Sequence, residues 1–205
     1  GEMTSILAHE LKNPLGIIHS SAQYLSKGKQ SKNVTHEMLD YILKEVDHIN
    51  LSINSILYLA RQKPPELSKI DIEKEVRDLI AQWERSQDHC HHVNISIDLP
   101  FPVSFVYADF RQLAQVLLNL IRNSEEMMTD GGQISICLEQ DGINTIISVM
   151  DNGPGIPDEI QDQVFDNFFT TKKQGLGLGL AACRQIIRAH GGNIDLTNRI
   201  EPVQT

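Results

Sequence analysis

The sequence is short of the features that would settle its class at once. It has three cysteines in 205 residues, Cys90, Cys137 and Cys183. An odd number at wide spacing suits free thiols in a reducing compartment, not a disulfide framework. No apolar run approaches the roughly 20 residues that span a bilayer, and no signal peptide with a cleavage site opens the chain, so a soluble, cytoplasmic chain is expected. Basic side chains number 18 against 27 acidic ones, a net charge of −9. That balance argues against nucleic acid, whose phosphates draw clustered Lys and Arg. Internal repeats and low-complexity tracts are lacking, and Pro64-Pro65 is the sole double proline.

What remains is an ordinary globular composition, 40% hydrophobic and 22% charged, enough for one large domain or two smaller ones. Residues 1–62 balance six acids with six bases, so the whole negative excess lies in residues 63–205. A polyanion bound there must be held locally, by backbone NH groups, a metal ion and a few placed cations.

The first 62 residues read as a helical hairpin. Leu7, Leu11, Leu15, Ile18, Ala22 and Leu25 form one heptad-like stripe, and Leu39, Ile42, Val46, Ile49, Ile53, Ile56 and Ala60 form another. The polar stretch 27–33 is a natural turn, and Thr35 is the expected cap of the second helix. Two helices alone cannot enclose their apolar faces, so two hairpins are expected to pair as a dimeric four-helix bundle. Pro64-Pro65 ends the second helix and sets the domain boundary, with domains of 1–62 and 66–205. Beyond it the pattern alternates: a helix over 71–86, strands over 93–99 and 103–107, and a helix over 109–128. Strands over 132–139 and 143–150, a Gly-rich stretch, a helix over 178–190 and a last strand over 193–196 follow. The fold class is α+β, a helical hairpin followed by an α/β sandwich with helices on one face of a sheet.

His9 stands in Ala8-His9-Glu10-Leu11-Lys12-Asn13-Pro14-Leu15. At about 100° per residue the apolar stripe centres near Leu11 and Leu15, while His9 and Asn13 point nearly the opposite way. Pro14 removes the NH that would bond Glu10, so a kink is expected just past His9. An imidazole is partly neutral and nucleophilic near pH 7 if its second nitrogen can pass a proton to a neighbour, and Glu10 is adjacent. A lone exposed histidine is otherwise a plain surface residue. The cluster His89-Cys90-His91-His92 lacks the paired spacing of structural zinc sites and is left as surface.

Three separated segments change the weight of His9. Asn119 and Asn123, four apart on one helix face, can orient a hydrated Mg²⁺ through amide oxygens. Asp151-Asn152-Gly153-Pro154-Gly155 follows an apolar strand. A carboxylate there can accept from an exocyclic amine, while glycines let a flat ring approach the backbone. Gly175-Leu176-Gly177-Leu178-Gly179 opens a helix whose unpaired NH groups suit phosphate. Between the last two, Phe165-Asp166-Asn167-Phe168-Phe169-Thr170-Thr171-Lys172-Lys173 reads as a lid with apolar anchors ahead of two cations.

Together these segments resemble the catalytic core of sensor histidine kinases of two-component systems. His9 to Leu15 is similar to the H box, Asn119 to Asn123 to the N box, Asp151 to Gly155 to the first glycine box, Phe165 to Phe169 to the F box, and Gly175 to Gly179 to the second glycine box. The short lid is most similar to the nitrogen-regulation class. The resemblance implies a dimerisation and phosphoacceptor hairpin joined to an ATP-binding sandwich of the type shared with gyrases and heat-shock chaperones. It implies that His9 accepts the γ-phosphoryl group of ATP, that Glu10 assists proton removal, and that Asn13 positions water for dephosphorylating a response regulator. It makes Asn123 the main Mg²⁺ ligand with Asn119 close by, and puts Asp151 on adenine. Gly153, Gly155, Lys172, Gly175, Gly177, Leu178 and Gly179 would shape the pocket and lid. The implied partners are a second copy of the chain and the receiver domain of a response regulator; a membrane would enter only through segments outside this sequence. The sequence departs from the pattern at Asn167, where the F box usually has proline, and at Glu126, where many relatives carry lysine; phosphate neutralisation then rests on Lys172 or Lys173.

Two other readings stand beside this one. A water-using ATPase of the same superfamily would carry a glutamate at the place of Asn119, and an amide cannot act as a base. A non-catalytic scaffold would usually lack the acceptor, the amides or the carboxylate, all of which are present.

Overall fold

A computed structural model of the chain describes residues 2–28, 30–61, 64–86, 93–98, 105–172 and 175–198; the side chains of residues 2–10, 60, 61 and 86 lie outside that description. The chain divides into two compact units, Gly1–Gln62 with Phe165–Ala182, and Lys63–Val164 with Cys183–Thr205.

In the first unit α1 (Glu2–Ser26) packs against α2 (Lys32–Arg61). α1 runs unbroken through Pro14, which is buried. The cap of α2 is Ser31, not Thr35. The Val34 NH reaches Ser31 Oγ at 3.4 Å, whereas Thr35 lies inside the helix with its hydroxyl back-bonded to the Ser31 carbonyl at 3.1 Å. Leu15 is 54% exposed and Leu43 60%, with Leu39, Val46, Ile53 and Leu57 also exposed, while Asn13 is half-buried. The second helix of the same chain therefore leaves Leu15 uncovered, and Asn13, expected on the opposite face, is half-buried. Two helices meet along a seam narrower than either apolar stripe, and the rest of the stripe faces outward. Two small polar residues, Ser21 and Ser55, are buried instead, the latter bonding back to the Leu51 carbonyl at 2.9 Å.

The second unit holds β1 (Ser68–Ile70), α3 (Ile72–Ser86), β2 (Val93–Asp98), β3 (Val106–Ala108), α4 (Phe110–Met127), β4 (Gly132–Asp141) and β5 (Asn144–Asp151), then a 3₁₀ turn (Asp158–Gln163). α5 (Gly179–Ala189) starts among the residues grouped with the hairpin and ends among those of this unit. β4 is the central strand of a three-stranded sheet, parallel to β2 (Ile95 opposite Ile134) and antiparallel to β5 (Ile136 opposite Val149). β1 and β3 make a separate antiparallel ribbon. Alternation along β4 turns Ile134, Ile136 and Leu138 to one face, all fully buried. Onto that core fall Ile72, Val76 and Ile80 of α3 and Leu113, Leu117 and Ile121 of α4, each set spaced by four.

The strand expected over 193–196 does not form. Asn193 Nδ2 instead donates to both carboxylate oxygens of Asp195 at 2.9 Å, a local bond that competes with a ladder. The cluster His89–His92 and part of the strand expected over 103–107 lie outside the described residues.

Asp109 starts α4 and joins three segments. Its Oδ1 accepts from the NH groups of Arg111 and Gln112 at 3.1 and 3.4 Å, and its Oδ2 from the Glu66 NH at 3.1 Å. Its own NH donates to His190 Nε2 at 3.1 Å, while His190 Nδ1 sits 2.8 Å from the Ile186 carbonyl. Nε2 thus accepts, and Nδ1 is the nitrogen that donates to the Ile186 carbonyl. Asp109→Ala strips three NH groups of their acceptor. It should lower unfolding free energy by about 1–3 kcal/mol in urea titration, and Asp109→Asn by less, because one amide oxygen still caps. Equal stability of wild type and the alanine variant would contradict the role given to this cap.

Candidate active site

α4 carries both asparagines one turn apart, Asn119 buried and Asn123 half-buried. Asn119 Nδ2 donates to the sulfur of Cys183 in α5 at 3.7 Å, and the Cys183 thiol lies 3.9 Å from the Val116 carbonyl. An amide that commits its nitrogen to a thiol can offer only its oxygen to a cation. Burial pushes the Cys183 thiol up to about 12, well above the ordinary 9.0 and against the smaller effect of the Asn119 hydrogen bond. Cys183 is therefore a neutral packing and donor-accepting group, not a nucleophile.

Ser124 continues the buried stripe of Leu113, Leu117 and Ile121 with a hydroxyl in place of an alkyl group. Its Oγ donates to Asp151 Oδ2 at 2.6 Å, and the Gly153 NH donates to Asp151 Oδ1 at 3.0 Å. The end of β5 is thus locked to the end of α4, and each carboxylate oxygen keeps a lone pair for a further donor. At Gly153 a Cβ would lie 2.9 Å from Asp151 Oδ1, so glycine is what lets the loop fold back on its own carboxylate. Asn152 extends the β4 pairing: its side-chain oxygen accepts from the Gln133 NH at 2.8 Å and its NH donates to the Gln133 carbonyl at 3.2 Å.

The stretch expected as a lid and the second glycine run lie in the first unit. The Phe168 NH donates to the Gly177 carbonyl at 3.0 Å, drawing Phe165 to Phe169 onto Gly175 to Gly179. Gly177 has φ +61°, and a Cβ there would come within 2.4 Å of the Phe169 carbonyl oxygen. Phe168 has φ +67°, the one non-glycine in the left-handed region among the described residues, at a cost of about 1–2 kcal/mol. Leu176 and Leu178 are buried; Lys172 is half-buried, with its NH on Thr170 Oγ1 at 3.1 Å. Gly179 is the first residue of α5. Glu126 pairs with Arg122 at 2.9 Å.

Within the second unit the structure therefore brings Asn119, Asn123, Asp151 and Gly153 onto two segments joined through Ser124; within the first it brings Phe168 and Phe169 to Gly177. The side chains of His9 and Glu10, and Lys173, lie outside the described residues. Ser124 and Cys183 were not singled out from the sequence. The signal for Ser124 was a short polar residue on an otherwise apolar helical stripe.

Residues 1–65 match the His Kinase A (phospho-acceptor) domain, and residues 108–203 match the Histidine kinase-, DNA gyrase B-, and HSP90-like ATPase family. The solved catalytic domain of histidine kinase ThkA shares 34% identity at a TM-score of 0.60, over 65% of this chain and 88% of that one. The chain belongs to the sensor histidine kinases. ThkA solved in complex with the response regulator protein TrrA matches 98% of this chain and 58% of that one, at 28% identity and a TM-score of 0.70. Sensor histidine kinase ZraS of Escherichia coli strain K12 is 31% identical over 202 residues, covering 97% of this chain. The present chain spans 43% of that relative's length. No helix among the described residues is long and apolar enough to cross a membrane.

In this kinase core the two described cysteines differ in reach, Cys137 half-buried and Cys183 buried. At pH 8 a maleimide should label Cys183 at least about ten-fold more slowly than Cys137, and at a comparable rate in 6 M guanidinium, read by peptide mapping. Rapid native labelling of Cys183 would show that the packing behind Asn119 is wrongly described.

Proposed function

We propose that residues 66–205 bind ATP with Mg²⁺ and phosphorylate His9 in the hairpin of residues 1–62, and that the phosphoryl group then passes to an aspartate on a response-regulator receiver domain. The observation that carries this reading is the Ser124–Asp151–Gly153 network. It holds a carboxylate with acceptor capacity left over at a glycine-rich strand end, on the same unit as two amides one helical turn apart. A carboxylate accepts but cannot donate, which selects the 6-amino group of adenine over the 6-oxo group of guanine.

The residues present fit a hard cation. Amide oxygens suit Mg²⁺, and few protein ligands are needed where phosphates and waters complete the shell. Asn123, the less buried of the pair, is the main ligand and Asn119 the second. Bound Mg²⁺ neutralises phosphate oxygens. Gly153 and Gly155 admit the purine; Gly175, Gly177, Leu178 and Gly179 bring backbone NH groups and the start of α5 to the phosphates, and Lys172 adds a cation. In the transfer, one imidazole nitrogen of His9 bonds to the γ-phosphorus as the bond to the bridging β–γ oxygen breaks and ADP departs. Glu10 takes the proton from the other ring nitrogen. Asn119 cannot activate water, which favours a separate nucleophile over hydrolysis.

The exposed Leu15, Leu39, Leu43 and Val46 support a homodimer in which a second hairpin covers them. That ThkA has been solved with a response regulator supports the receiver partner. Asn13 positions water when the regulator is dephosphorylated, the short lid follows the nitrogen-regulation pattern, and the core works in the cytoplasm.

Incubation with γ-labelled ATP and Mg²⁺ should yield an acid-labile, base-stable label that is absent from His9→Ala; a label persisting in that variant removes His9 as the acceptor. Asn123→Ala should abolish the Mg²⁺-dependent part of nucleotide affinity in calorimetric titration. An unchanged Mg²⁺ dependence would mean the cation is held elsewhere.

A further inference from the structure

The glycine-rich loop after β5 is secured at its first end by Asp151, but Gly155 and Ile156 lie beyond the last strand pair and have no ladder partner. Their support comes from a residue 42 positions away. Asn198 Oδ1 accepts from the Ile156 NH at 3.1 Å, and Asn198 Nδ2 donates to the Ile156 carbonyl at 2.6 Å. The amide side chain thereby makes both hydrogen bonds that a neighbouring strand would make to one residue. Gln161 Nε2 donates to the same carbonyl at 3.1 Å, using its second lone pair. Gly155 has φ +74°, and a Cβ there would stand 3.1 Å from Asn198 Oδ1, so the loop passes directly over the amide. Pro157, which follows, has no NH to offer a ladder.

Resting on the ATP reading above, we propose that Asn198 is a positioning residue for adenine recognition: by clamping Ile156 it holds the Gly153–Gly155 backbone in the conformation that receives the purine, without touching the nucleotide. The chain between Asp151 and Ile156 includes two glycines and would sample many conformations if tied at one end only. With both ends tied, that ordering is complete before nucleotide arrives. The effect is confined to the purine end, so it should weaken ATP, ADP and adenosine alike, whereas a lid or cation residue changes the preference for ATP over ADP.

The test compares wild type, Asn198→Asp and Asn198→Ala in the full 205-residue chain. Asp can still accept from the Ile156 NH but has no donor for its carbonyl; Ala can do neither. Affinity for adenylyl imidodiphosphate and for ADP should fall by about ten-fold in Asn198→Ala and by an intermediate factor in Asn198→Asp, with the ratio between the two nucleotides constant and the nucleotide-free melting temperature within about 2 °C of wild type. Unchanged affinity in Asn198→Ala overturns the proposal. So does a loss that tracks a general fall in melting temperature in both variants, or one confined to the triphosphate. Amide exchange at Ile156 separates this inference from the ATP reading, since it needs no ligand. Faster exchange in Asn198→Ala supports the clamp even if wild type binds no nucleotide, and equal exchange removes the clamp even if it does.

Discussion

A single short hydrogen bond, Ser124 Oγ to Asp151 Oδ2, joins the helix that carries the paired amides to the strand end that carries the carboxylate. The donor is buried while the carboxylate it meets is exposed, so the bond ties the inner face of α4 to a group that still faces outward. The far end of the same helix is fixed by Asp109, which also takes in the Glu66 NH and is bonded by His190. α4 is thus pinned at both termini by side chains reaching other elements, and its apolar stripe packs on β4 between them. A site whose asparagines lie on such a helix has little freedom to misplace its ligands.

What was legible in the sequence follows from how much each residue's position was dictated by burial. α3, α4 and β4 could be read to within two residues because each buries a regular stripe, and the stripe is the pattern. The helix cap at Ser31 was misread because both Ser31 and Thr35 are capping types, and which one is used depends on where the first turn closes. The strand over 193–196 was misread because the apolar–polar alternation of Asn193 to Leu196 says nothing about whether an edge is available to pair. Asn193 instead satisfies Asp195 next to it, and Asn198 spends its amide on a loop.

The candidate site shows the same division. The glycines were visible because a backbone that must turn with positive φ or pass close to another chain excludes other residues, as at Gly155 and Gly177. The asparagines were visible by their spacing of four, and Asp151 by its place between an apolar strand and a glycine-rich stretch. Their supports were not. A serine on an apolar stripe, a cysteine among alanines and an asparagine in a tail are each common in structural roles, and only their partners in space, Asp151, Asn119 and Ile156, distinguish them.

The electrostatics of α4 carry the reading one step further. Glu126 is paired with Arg122 one turn earlier, so this stretch of helix offers no unbalanced positive charge from the pair. Asn119 and Asn123 are neutral as well. On the ATP reading proposed above, the positive charge that a triphosphate needs would come from the cation and not from side chains of this stretch of helix.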